Sequence, residues 1–236
     1  MYKVFQKFLG RDDLLVNLDR GVIYRPTVGV GEEGVEKPEW RTDRNLHLDM
    51  NPWDFAGDDG KKNSDRVHNA LTYHQLDHFQ MLENNYIGSF KENPLHLQAQ
   101  FNLLDNLEED GGLTLVPAFH KELFTFVELT KSNMGKRCRN PFVLFREPDP
   151  MYDFALRVTS RAGSLIIWQQ TVVHGSSPNH SGRFRYAQFI KMFPAELERE
   201  RKQRRRSKMK EFLQESHCMN YLETPLSRKL YGLEDW

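Results

Sequence analysis

Along this chain, short apolar runs outnumber helical repeats. Leu97–Leu104 alternates Leu, Ala, Phe and Leu with Gln98, Gln100 and Asn102, the two-residue period of a strand. Asp110-Gly111-Gly112 then makes a turn into Leu113–Val116. Phe142–Phe145, Ala155–Thr159, Leu165–Val173 and Arg185–Phe193 follow, each bounded by Gly, Pro, Asn or Asp. Helical patterning predicts one long helix over about Pro194–Glu215, with Pro in its first turn and Glu196, Glu198 and Glu200 ahead of the bases. A shorter helix is expected over 69–84. Many short strands with few helices predict a mainly β fold, an antiparallel sandwich or jelly roll with flanking helices. No segment repeats at a fixed period, which excludes solenoids and propellers. The polar, Gly/Asp-rich segment 54–68 reads as a loop. The expected organisation is therefore a single domain over 1–236, with a long insertion at about 54–96 and a helical C-terminal tail at 194–236.

Composition narrows the class. A chain of 236 residues, 39% hydrophobic and 28% charged, can bury a full core without disulfide staples and is not expected to be disordered. Thirty-three basic residues balance thirty-three acidic ones, so the chain as a whole is no polyelectrolyte binder. The balance hides a basic run at 199–210, with eight Lys/Arg against one Glu. That run reads first as a solvated helix of mixed charge. A nuclear-localisation or nucleic-acid patch and a membrane-surface contact are its alternatives. Aromatic residues do not interleave with it, which argues against single-strand stacking and leaves nucleic acid a disfavoured partner. Apolar stretches such as Leu165-Ile166-Ile167-Trp168 fall far short of the ~20 residues of a membrane span. No apolar region follows Lys3 and Lys7, so no secretory signal is expected. Cys138 and Cys218 cannot build a disulfide framework or a cysteine-based zinc site. The expected setting is cytoplasmic, with the nucleus as the alternative the basic run allows. No feature of the pattern specifies an oligomeric state.

The candidate chemistry begins at His47-Leu48-Asp49. On a strand, residues two apart share a face, so an imidazole and a carboxylate converge while Leu46 and Leu48 point the other way. A third ligand is suggested by His174, delivered by the nearly unbroken run Leu165–Val173 just before a turn-forming segment. Two histidines and one carboxylate form the facial triad that holds Fe(II) and leaves positions open. Arg185 lies eleven residues beyond His174, at the start of the next strand. A 2-oxo acid chelating the iron needs a cation for its far carboxylate, which a guanidinium fork supplies. The linking segment HGSSPNHSGRFR has a length suited to a hairpin. Arg183 shares strand parity with Arg185 but still belongs to the turn, so Arg185 is the expected anion partner. His74 and His78 share a helical face, yet Gln75 stands where a zinc-protease motif needs Glu. His68, His96, His120, His180 and His217 have no paired spacing and read as polar-surface residues. Trp53 and Trp168 are candidates for lining a pocket, though strand aromatics are more often plain core.

Three segments carry a family resemblance: LHLDMNPW (46–53), EEDGGLTLVPAFHK (108–121) and RAGSLIIWQQTVVHGSSPNHSGRFR (161–185). Together they resemble the phytanoyl-CoA dioxygenase family of Fe(II)/2-oxoglutarate oxygenases, over roughly 41–53 and 97–193. The C-terminal ETPLSRKLYGLEDW (223–236) is similar to family tails. The resemblance implies a double-stranded β-helix of the jelly-roll or cupin-like kind. It also implies His47, Asp49 and His174 as catalytic iron ligands, and Arg185 with Ser176 as the binders of the 2-oxoglutarate carboxylate. The implied reaction consumes O₂ and 2-oxoglutarate, releases succinate and CO₂, and hydroxylates a small or lipid-like organic molecule. Asp at position 49, where halogenating relatives carry Gly or Ala, favours hydroxylation over halogenation. The rival expectation is a non-catalytic jelly-roll binding protein that kept the barrel but, with a short segment ahead of His47, lost turnover.

Overall fold

The computed structural model describes residues 1–17, 19–55, 97–134, 142–196 and 199–236. Two antiparallel sheets of five strands carry the described fold. The first contains β1 (Leu14–Val16), β2 (Gly21–Tyr24), β4 (Leu97–Asn102), β8 (Leu165–Gln169) and β10 (Arg185–Pro194). Its order is β1-β10-β4-β8, with β2 also paired to β10. The second contains β3 (Asn45–Leu48), β5 (Gly112–Leu115), β6 (Val143–Phe145), β7 (Leu156–Arg157) and β9 (His174–Ser177), in the order β6-β3-β9-β5-β7. This is the mainly β, jelly-roll type of double-stranded β-helix that the sequence leads one to expect.

The alternation on β4 is turned inside out. Gln98, Gln100 and Asn102 are all buried and face the barrel interior. Leu97 and Ala99 pack on the outer side with Phe5, Leu14, Ile190 and Met192. Helix α1 (Tyr2–Leu9) covers that outer face, with Tyr2, Phe5 and Leu9 three and four residues apart on one side. Sheet two is covered in the same way. Leu46, Leu48, Val143, Phe145 and Val173 pack against Phe119 and Leu123 of a helix that follows β5. Labelled in chain order, the next helices are α2 (Pro52–Phe55) and α3 (Phe119–Met134), the latter supplying that cover.

The C-terminal run forms α4 (Arg199–Glu215) and α5 (Pro225–Leu230). The long helix begins at Arg199 and not at Pro194. Pro194 still belongs to β10, opposite Leu14, and Ala195 prolongs the pairing by donating to the Asp13 carbonyl at 2.9 Å. Arg205, Met209 and Leu213 form the buried stripe of α4. Arg205 lies over the Phe193 ring, and Arg206 binds the Gly232 carbonyl and Asp235. Arg204 pairs with Glu200 and Lys208 with Glu211. No described helix is long and apolar enough to cross a membrane.

Two other expectations need correction. Leu165–Val173 is not one strand: β8 ends at Gln169, and a turn closed by Val172 N–H donating to the Gln169 carbonyl (2.9 Å) carries the chain across to sheet two. His174 therefore opens β9 instead of ending β8. For the same reason HGSSPNHSGRFR is no hairpin, because β9 and β10 belong to opposite sheets. Beyond Phe55 the expected insertion, the helix over 69–84 and the His74/His78 pair lie outside the described residues, as do His68 and His96.

Candidate metal and cosubstrate site

The β3–β9 register sets His47 directly opposite His174, with their ring centroids 4.4 Å apart. Such a cross-strand pair projects two side chains from one face, and Asp49, two residues after His47, joins that face. Ligand atoms of His47, Asp49 and His174 all lie within 4.8 Å of one another. His47 Nε2 is 3.5 Å from Asp49 Oδ1, and His174 Nε2 is 3.6 Å from Asp49 Oδ2. Gly175 makes this approach feasible. A Cβ at that position would sit 1.4 Å from the Asn45 carbonyl oxygen. Only glycine lets the two backbones come that close.

Protonation is arranged to suit a cation. His174 Nδ1 lies 3.0 Å from the Val172 carbonyl, which can only accept, so the proton sits on Nδ1 and Nε2 turns its lone pair inward. Burial, followed by the neighbouring His174, pushes the His47 pKa down to about 4, keeping that imidazole neutral at ordinary pH. Burial alone would raise the Asp49 pKa, but Lys191 and the two histidines more than offset it and hold it well below 3.8. Two imidazoles and one carboxylate form the donor set suited to a divalent first-row metal with positions left open.

Beside this cluster lies Arg185, 1% exposed. Its Nη2 donates to Gln100 Oε1 at 2.8 Å, and its guanidinium stacks 4.7 Å from the Tyr24 ring centroid. Among the described residues, Nε and Nη1 have no hydrogen-bond partner. Burial lowers the Arg185 pKa from 12.5. A buried guanidinium with two unmet donor nitrogens is a costly arrangement unless an anion faces it. Tyr24, opposite Arg185 in the β2–β10 ladder, donates its hydroxyl to Ser176 Oγ at 2.8 Å. Ser176 thus stands two residues after one candidate ligand and within one hydrogen bond of the tyrosine beneath Arg185. Arg183 is different. It is half exposed on the rim and pairs with Asp110 at 2.7 Å. Asn179 holds the intervening turn, donating to the Arg25 and Arg183 carbonyls at 3.0 and 2.7 Å.

These groups open on one cavity of about 590 Å³, walled by Leu113, Trp168 and Phe189 as well as by the polar face of β4. Of the two tryptophans, Trp168 lines the cavity, its ring 5.2 Å from that of His174. Trp53 instead packs against Phe126 and donates to Thr130 Oγ1 at 3.2 Å. The sequence reading did not single out Tyr24, Gln98, Gln100 or Lys191. Their signals were faint: a run of polar residues at every second position of an apolar strand, and one lysine inside Phe189–Phe193.

The phytanoyl-CoA dioxygenase family model matches residues 55–187, a span that includes His174 and Arg185 and begins just after Asp49. A Dictyostelium discoideum protein that carries the phytanoyl-CoA dioxygenase name is 36% identical over 238 residues, covering 99% of this chain. The chain spans 63% of that relative's length. A solved structure, the non-heme α-ketoglutarate-dependent epimerase SnoN from nogalamycin biosynthesis, shares 21% identity over 42% of this chain and 31% of its own, with a TM-score of 0.28. An overlap that small carries no argument here. The chain belongs to the phytanoyl-CoA dioxygenase family.

Proposed function

We propose that this chain is an Fe(II)- and 2-oxoglutarate-dependent oxygenase that hydroxylates a small or lipid-like organic substrate, with release of succinate and CO₂. The observation that carries the reading is Arg185: a buried guanidinium with two donor nitrogens unpartnered among the described residues, opening on the same cavity as the His47, Asp49 and His174 cluster. In this reading His47, Asp49 and His174 hold the iron, and Arg185 with Ser176 holds the far carboxylate of 2-oxoglutarate. Bound iron would supply the activation of O₂ that is coupled to oxidative decarboxylation of the cosubstrate and oxygen transfer to a C–H bond.

The protein's own residues prepare that chemistry. The Val172 carbonyl fixes the tautomer of His174, so its Nε2 can bind without losing a proton. Burial keeps His47 neutral for the same purpose. Tyr24 braces both Arg185 and Ser176, which pre-sets the cradle before the cosubstrate arrives. Leu113, Trp168 and Phe189 wall the cavity with apolar surface that excludes water from the reacting groups.

The experiment is anaerobic addition of Fe(II) and then 2-oxoglutarate, followed by the weak visible charge-transfer band of the chelated cosubstrate, with succinate measured after O₂ is admitted. A band and succinate in the wild type, both lost in His47→Ala, Asp49→Ala and His174→Ala, are the expected results. Full activity in any one of these variants would remove that residue from the ligand set. A band without succinate formation would favour a non-catalytic binding protein.

A further inference from the structure

Asp49 has two carboxylate oxygens, and the fold commits one of them. Oδ2 accepts a hydrogen bond from Lys191 Nζ at 3.2 Å and another from Gln98 Nε2. Gln98 is itself fixed, since Trp168 Nε1 donates to its Oε1 at 3.0 Å. The Asp49 backbone is pinned too, its carbonyl accepting from Gln170 Nε2 at 2.9 Å. Oδ1 accepts from neither donor and stands 3.5 Å from His47 Nε2, while His174 Nε2 lies 3.6 Å from Oδ2. Lys191 and Gln98 are direct cross-strand partners on β10 and β4, so the two donors come from one rung of sheet one and reach across the barrel to a residue at the end of β3. A lysine whose side chain is 9% exposed within an apolar strand is expensive unless a carboxylate meets it.

From this we infer that Lys191 and Gln98 are positioning residues which confine Asp49 to ligation through a single oxygen. The inference rests on the oxygenase reading above. A carboxylate free to rotate can chelate a metal with both oxygens, and the second oxygen would occupy a position that 2-oxoglutarate needs for its own two-point attachment. Two donors on Oδ2, one of them cationic, oppose that rotation and compete with a metal for the lone pairs of that oxygen. Lys191 brings an opposite effect as well. An ammonium so near a divalent cation repels it, so the clamp sacrifices some metal affinity to keep cosubstrate positions open.

These opposed effects separate positioning from simple structural support. A residue that merely supports the fold would weaken metal and cosubstrate binding together when removed. Lys191→Met should bind Fe(II) as tightly as the wild type or more tightly. Its charge-transfer band should need at least about tenfold more 2-oxoglutarate for half-saturation, or be absent. Lys191→Arg, which keeps a cationic donor, should restore most of the difference. Gln98→Leu removes the second donor without touching the charge and should shift the 2-oxoglutarate titration in the same direction. Metal affinity is read by anaerobic Fe(II) titration of the full chain, and cosubstrate affinity by the band. A wild-type band that is unmoved in both Lys191→Met and Gln98→Leu overturns the inference alone. Joint loss of metal and cosubstrate binding in both variants also overturns it, in favour of structural support. A wild type with no band at all overturns the oxygenase reading, and this inference with it.

Discussion

Replacing Arg185 with methionine separates two quantities that usually fall together, folding stability and cosubstrate affinity. Among the described residues the guanidinium makes one hydrogen bond, to Gln100 Oε1, and leaves Nε and Nη1 unmet. Each unmet buried donor costs about 1–3 kcal/mol, while a hydrogen bond to a charged group contributes about 1.5–3 kcal/mol. Methionine deletes both liabilities and the one bond, orphaning Gln100 Oε1, so the net change in stability should stay within about 2 kcal/mol. Cosubstrate binding behaves otherwise. Stranding one member of a buried charge pair costs about 3–5 kcal/mol, which at ~1.4 kcal/mol per decade is two to nearly four orders of magnitude in affinity. Thermal denaturation with Mn(II) as a redox-inert metal reads both. Saturating the wild type at ~100 times Kd should add about 2.7 kcal/mol, or roughly 5–10 °C in a chain of this size. Arg185→Met at the same concentration should show no rise from a nearly unaltered starting Tm. Arg183→Ala, on the half-exposed rim, should rise like the wild type. A full rise in Arg185→Met, or its loss in Arg183→Ala, would refute the assignment of the anion site.

Gly175→Ala places a methyl group 1.4 Å from the Asn45 carbonyl oxygen, so β3 and β9 must separate. Loss of more than about 4 kcal/mol, or failure to accumulate soluble protein, is expected, and a urea midpoint close to that of the wild type would show the ladder to be more yielding than its geometry. For pH, His47 stays neutral in the fold down to about 4, whereas an unfolded histidine protonates near 6.5. The unfolded chain thus binds the extra proton, and the stability of the metal-free protein should fall as pH drops from 6.5 to 4, then level off as far as this group is concerned. The ceiling is about 3 kcal/mol at 1.36 kcal/mol per unit, less in practice because a quarter of the side chain reaches water; His47→Gln should flatten this part of a plot of urea midpoint against pH. Phe5→Ala, at a fully buried position under sheet one, should cost about 3–5 kcal/mol in the same assay while leaving metal titration intact in the folded fraction.

Which parts of this molecule were legible in its sequence follows from the range of the forces involved. Strand segments were visible because their apolar runs are local, and both leucines flanking His47 do point away from the site as alternation requires. His47 and Asp49 could be paired from spacing alone, since a strand fixes residues two apart. Bringing His174 opposite them depends on the register of two strands far apart in sequence; the apolar run ahead of it suggested the residue, but not that it opens a strand paired with β3. The break after Gln169 was hidden, because Val172 and Val173 continue the apolar run while the chain is already changing sheets. Helix α3 was hidden for a related reason. Its buried Phe119 and Leu123 are interleaved with Phe124 and Leu129 on the exposed side, which blurs the 3.6-residue period. Arg185 does lie deeper than Arg183, as expected of a strand residue against a turn residue. Tyr24 carried no signal at all, since nothing in a four-residue edge strand marks the side chain opposite a buried arginine.

The inverted alternation on β4 ties these observations together. In an ordinary sandwich the apolar faces of two sheets meet and the polar faces meet water. Here Gln98, Gln100 and Asn102 are buried between the sheets, where they bind Asp49, Arg185 and one another. A barrel with a polar interior cannot draw its main stabilisation from that interior, because buried polar groups at best recover the cost of their desolvation. The apolar cluster of Leu113, Trp168 and Val172 contributes from between the sheets, but the larger clusters lie on the outside. That is where α1 and α3 lie, with Phe5 packed on one sheet and Phe119 and Leu123 on the other. The helices are therefore what allows the strands to devote their inner faces to chemistry. Lys191 shows the division within one strand: its neighbours Ile190 and Met192 pack in the outer cluster, while its own side chain crosses the barrel to Asp49.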